Sequence, residues 1–158
     1  YHTNMYSIDF IGVDYEKPQE RIEFPLKYVK CGENVYGGTD AYETGYDSIS
    51  VYQLDENMEE SVVHTYTAGE GECIFELYGE RVTEVYGLRS NYDEENETAT
   101  WMFFNVKNDK SVTVDNVIEI ERLRENKMLI SAWNAEHEIV RYRLETDDMI
   151  LTEMKTGE

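Results

Sequence analysis

Thr98-Ala99-Thr100-Trp101-Met102-Phe103-Phe104-Asn105-Val106, followed by the turn Asn108-Asp109-Lys110, is the stretch on which the fold class turns. Read with a period of two, it sets Ala99, Trp101, Phe103 and Asn105 on one face of a strand. Met102, Phe104 and Val106 take the other. Both faces are apolar, so this is a central strand, covered on its outer side or presenting that side to a ligand or partner. The polar turn then sends the chain back through residues 112–114.

The same alternation continues on both sides. Downstream it marks residues 117–123, 128–133, 138–144 and 149–154. Upstream it marks 48–54, 61–68, 73–78 and 81–88, with an acidic turn at Asp55-Glu56-Asn57-Met58 and a polar loop at residues 91–97. Residues 32–47, with Gly37-Gly38 and Gly45, read as a long loop. Before it, Tyr6, Ile8 and Phe10 share a face. The pattern slips at Ile11-Gly12 into Val13 and Tyr15, the mark of a bulge. Ile22, Phe24, Leu26 and Tyr28 follow, with Pro25 demoting that strand to an edge or a bend. Residues 115–124 are the best helix candidate, through Val117, Ile120 and Leu123. Their β-branched content favours a strand instead. The pairs Tyr36-Gly37, Tyr78-Gly79 and Tyr86-Gly87 read as strand ends. Turn signals every 8–12 residues and about ten strands predict an all-β fold, an antiparallel meander closing into a small β-barrel, with a β-sandwich as the alternative and little helix.

The 158 residues fit one domain, 1–158. Hydrophobic residues make up 41% and aromatics 13%, which argues for a packed core despite the charge. Thirteen tyrosines against two prolines suit half-buried strands. The net charge of −20 disfavours direct nucleic-acid binding and anionic membranes, and favours cations and basic partners. Much of it lies between Cys31 and Glu80, where there are twelve Asp or Glu and no Lys or Arg. No run approaches the ~20 apolar residues of a membrane span. The chain begins at Tyr1, so we expect that an upstream signal peptide, lipoprotein leader with its lipid anchor, or tag has been removed. Cys31 and Cys73 allow one disulfide, closing a loop of about forty residues. Two independent buried thiols are the other reading.

Motifs for chemistry are sparse. Asp55, Glu56, Glu59 and Glu60 cluster at one turn and Asp93, Glu94, Glu95 and Glu97 at another; calcium needs six to eight oxygens, but EF-hand spacing is missing and acidic turns are usually just solvated. His2, His64 and His137 have no zinc-site spacing. His64, beside Tyr66 in a strand, is a candidate to face a cavity; lone strand histidines are more often packed or at the surface. There is no nucleophile elbow, P-loop or dinucleotide fingerprint, so no catalytic residue, metal or cofactor is assigned. Trp101 and Phe103, with Trp133 and Tyr142 on later strands, are the candidate lining of an apolar interior. Arg141 and Arg143 share a strand face, either to pair a carboxylate ligand or to offset acids on neighbouring strands. Asn96-Glu97-Thr98 matches a glycosylation sequon, a common chance triplet.

The closing segment VIEIERLRENKMLISAWNAEHEIVRYRLETDDMILTEMK adds a resemblance. Its Met128-Leu129-Ile130, Tyr142-Arg143-Leu144 and Asp148-Met149-Ile150-Leu151-Thr152 resemble the final meander of bacterial lipocalin-like proteins of the calycin type. Neither tryptophan precedes Trp101, so the Gly-x-Trp opening strand of that family has no counterpart. The resemblance implies a small antiparallel barrel, exported or lipid-anchored, that binds a small apolar molecule or a protein partner.

The expectation is therefore a non-enzymatic, extracytoplasmic, secreted or surface-anchored binding protein with Trp101, Phe103, Trp133, Tyr142 and His64 at its ligand site. The alternative is an acidic interaction protein, a nucleic-acid mimic or an inhibitor of a basic protein surface. A third reading, a small β-barrel hydrolase or isomerase, needs a polar cluster around His64.

Overall fold

A computed structural model describes residues 26–31, 35–36, 45–78, 84–124 and 126–155. The readings of Tyr6 to Phe24 and Pro25, and the glycine turns at 37–38 and 79–80, lie outside the described residues. Every element is a strand: β1 Leu26–Cys31, β2 Val35–Tyr36, β3 Gly45–Tyr46, β4 Ser48–Leu54, β5 Glu60–Thr67, β6 Cys73–Tyr78, β7 Val85–Asp93, β8 Thr98–Asn105, β9 Lys110–Leu123, β10 Lys127–Trp133, β11 Ile139–Glu145 and β12 Ile150–Glu153. All pairings are antiparallel. The protein is all-β, with no helix among the described residues.

The chain divides into two compact units, Tyr1–Thr67 and Ala68–Glu158. In the first, β4 is the middle of a three-stranded sheet between β1 and β5. Val29 of β1 lies opposite Val51 of β4, and both are buried with Ile49. Lys30 reaches across β4 to Glu60 at 2.7 Å and lies 4.8 Å from the Tyr52 ring. β2 and β3 form a short ladder inside the segment expected to be loop, with Gly45 and Tyr46 buried. Two-residue strands are too short to show a period, which is why alternation missed them.

The second unit is a meander, β6 to β12, in which each strand pairs with the next. β9 organises it. Its first half pairs with β8 and its second half with β10. Between them the pairing steps from Ala99–Val117 to Trp101–Val114 against β8, and from Ser131–Glu119 to Ala132–Val117 against β10. Against β8 the extra residue of β9 lies within 115–116, where Asn116 is left-handed at φ 53°, and against β10 it is Ile118; each is a bulge. The expected break between residues 114 and 117 is thus a bend within one strand, not a turn between two.

Bending there lets the meander fold over its own inner face. Val85, Phe103 and Val114 from β7 to β9 share one core with Met128, Ile130 and Leu144 from β10 and β11. Met128, Ile130, Leu144 and Phe103 are fully buried, each contributing roughly 1.5–3 kcal/mol by removal from water. Polar links between strands distant in sequence tie the fold shut. Arg122 Nη1 donates to the Leu77 carbonyl at 3.1 Å. Buried Asn105 donates through Nδ2 to the Thr146 carbonyl at 2.8 Å. Among the described residues no pairing closes the meander into a barrel.

One turn design recurs. Asp55, Asp93, Asn105 and Asn134 each accept, through Oδ1, the backbone N–H two residues on, at 2.8–3.0 Å. Each turn then contains a left-handed residue: Met58, Glu97, Asp109 and His137. Short Asx side chains close the turn by imitating a backbone carbonyl, which fixes the hairpin register locally.

Candidate functional site

The inner face of β7 and β8 carries an aromatic stack that depends on a glycine. Gly87 is in the interior of β7, opposite Phe103, rather than at a strand end. A Cβ placed there would sit 2.5 Å from Cε3 of Trp101 and 2.8 Å from Cδ1 of Leu77. The Trp101 ring therefore lies flat across the bare backbone, where an aromatic ring covers a strand glycine.

From Trp101 the stack runs both ways. Phe103 is nearly parallel to it, at 14° and 6.0 Å between centroids. Phe75 is tilted at 49° and 5.5 Å. The Arg89 guanidinium lies 5.0 Å from the Phe75 ring and 4.5 Å from that of Tyr92, a sandwich held by the ring quadrupoles. Tyr92 is 44% exposed and Arg89 half-buried, while Phe75 and Phe103 are buried. Trp101 is half-buried. Arg89 and Tyr92 belong to β7, which runs five residues past the expected end at Leu88. Their polarity hid that extension, since the strand there is secured by pairing with β8 and by ring contacts.

The structure brings three of the five candidate residues to one face. Trp101, Phe103 and Tyr142 all pack in or against the core, and Leu77, Val112, Ile120 and Leu151 join them as half-exposed apolar groups. Trp133 is elsewhere. It alternates with buried Met128, Ile130 and Ala132 along β10, so it shares the outer face with Leu129 and Ser131. His64 is in the first unit, exposed on β5, with its ring 4.3 Å from that of Tyr66. Alternation within a strand pairs residues with each other, but it does not say which side of the sheet is inside. Cys73 opens β6 half-buried. The side chain of Cys31 lies outside the described residues, and the expected disulfide with it.

The acidic turns use their carboxylates internally. Asp55 Oδ1 takes the N–H groups of Asn57 and Glu59 at 2.8 and 2.9 Å. Asp93 accepts from the Asn96 side chain at 2.7 Å and from the backbone of Glu95 and Asn96. The Asn96 side chain first, and then these backbone bonds, hold the Asp93 carboxyl below its ordinary range. Among the described residues no three His, Cys, Asp or Glu side chains gather as a metal site. Among the described residues no helix is long and apolar enough to cross a membrane.

The chain matches no protein-family model, no curated protein and no solved structure.

Proposed function

We propose that this is a non-enzymatic binding protein of lipocalin-like kind, acting outside the cytoplasm as a secreted or lipid-anchored chain. Its folded meander serves as a barrel-like or sandwich-like holder for a small apolar ligand. The observation that carries the reading is a contrast on the inner face. Phe103 is sealed in the core, while Trp101 and Tyr142 on the same face keep part of their surface in water. Partly buried aromatic groups packed against an apolar core suit an aromatic or aliphatic ligand. Native mass spectrometry of freshly purified protein, with titration of an apolar fluorophore, tests it. We expect a retained or bound apolar molecule, and Trp101→Phe to weaken fluorophore binding about tenfold. A correctly folded protein that binds no apolar probe refutes it.

A second reading, docking of a basic protein segment, draws on β5. That strand is exposed along almost its whole length, with Val62 and Val63 at 57% and 46%. It contains no Lys, Arg or Pro and begins beside Asp55, Glu56, Glu59 and Glu60. Natural edge strands often carry Lys, Arg or Pro, and one without them suits strand addition by a cationic peptide. Salt-sensitive binding of such a peptide, with no uptake of apolar probe, favours this reading over the first.

A further inference from the structure

The outer face of β9, β10 and β11 has three parallel columns. Glu121 of β9 lies beside Leu129 of β10, which lies beside Arg143 of β11. In the next row Glu119, Ser131 and Arg141 stand in the same order. Trp133 continues the middle column next to Ile139, which is 53% exposed. The strip is therefore acidic on one side and basic on the other, with half-buried Leu129 and Trp133 and the buried Ser131 along the middle.

All four charged side chains are exposed, and among the described residues none of them makes an ion pair. Geometry explains this. The acidic and basic columns are two strand spacings apart, about 9–10 Å, with β10 between them. The arginines thus do not offset the acids on the neighbouring strands.

We infer that this face binds the same face of a second copy of the chain, about a two-fold axis parallel to β10. A half-turn about that axis sets the middle column against itself, Leu129 on Leu129 and Trp133 on Trp133. It also sets each acidic column against the other copy's basic column. Glu121 then faces Arg143 and Glu119 faces Arg141, row for row, because the rows are already in register. A two-fold axis across the strands would set arginine against arginine. A partner of a single charge sign would satisfy one column and oppose the other. The chain itself carries a surface with both signs at the required spacing.

The net charge of −20 works against association. At physiological ionic strength, screening over about 8 Å leaves the facing pairs in control. Arg and Trp are the residue types that most often dominate interface energies. Three strands form a small contact, so the dimer is weak and concentration-dependent.

Sedimentation equilibrium of the full chain at about 0.15 M salt tests this, with folding checked by circular dichroism. The wild type should dimerise reversibly as concentration rises. Arg141→Glu with Arg143→Glu, and separately Glu119→Arg with Glu121→Arg, should each raise the dimer Kd at least tenfold. Mixed one to one, the two variants should recover association as a heterodimer. A wild type monomeric throughout, a dimer indifferent to both variants, or variants that fail to associate when mixed would each overturn the inference.

Discussion

Asn105 is where removing one side chain should cost the second unit most per atom. It is 2% exposed, with Nδ2 bound to the Thr146 carbonyl at 2.8 Å and Oδ1 accepting from the Lys107 N–H at 2.8 Å. Asn105→Ala deletes both bonds, each worth about 1 kcal/mol net. It also strands the Thr146 carbonyl, whose residue is itself 2% exposed, adding roughly 1–3 kcal/mol for an unsatisfied buried acceptor. At the low end of that sum, about 3 kcal/mol is roughly a hundredfold change in the folding equilibrium. With a urea slope of about 2 kcal/mol/M, the midpoint should fall by about 1.5 M. Trp101 and Trp133 both belong to this unit, so tryptophan fluorescence follows its transition. Asn108→Ala is the control, since its bond to the Asp147 carbonyl is exposed and should cost under about 1 kcal/mol. Asn105→Leu restores bulk without the bonds and should be nearly as damaging as alanine. If leucine is tolerated, or if the two alanine variants shift the midpoint equally, the reasoning from buried hydrogen bonds fails.

Two further outcomes follow from the site. Gly87→Ala must push the Trp101 ring off β7, costing about 1–3 kcal/mol and changing the near-ultraviolet circular dichroism; an unchanged aromatic spectrum would contradict the stack. For Asp93 the carboxyl is held below its ordinary value of 3.8, so its contribution is present above the unfolded value and is lost as pH falls through the folded one. The amide signals of Glu95 and Asn96 should therefore titrate with a midpoint below 3.8, and should stop doing so in Asp93→Asn; a midpoint at or above that value contradicts the turn.

Much of the strand pattern was legible because its signals are local. β4 and β6 coincide with the segments read from alternation, β8 and β10 differ from theirs by a residue at one end, and β11 by a residue at each end. Their apolar positions recur at period two, and Asx residues mark the turns between them. Three features were not legible, each for a physical reason. β9 reads as two pieces because its bulge interrupts the alternation while the ladders carry through. Gly87 looks like a terminator because glycine so often is one; its partner Trp101 is fourteen positions away on the next strand. Trp133 has the composition of a core aromatic, but facing is decided by register with β9 and β11, which no single strand contains. Trp101, Phe103 and Tyr142, singled out by residue type, pack in or against the inner core, whereas the contacts of Phe75, Arg89 and Tyr92 had no sequence signal. Register sets Arg89 opposite Trp101 across the β7–β8 hairpin.

The meander also shapes the order in which this molecule assembles. Every ladder of the second unit joins sequential strands, so each hairpin closes a short loop and forms early at small entropic cost. The contacts that shut the fold are of another kind. Arg122 to Leu77 spans 45 residues and Asn105 to Thr146 spans 41. We therefore expect this unit to fold by a fast zipping of hairpins followed by a slower closure that brings these distant pairs together.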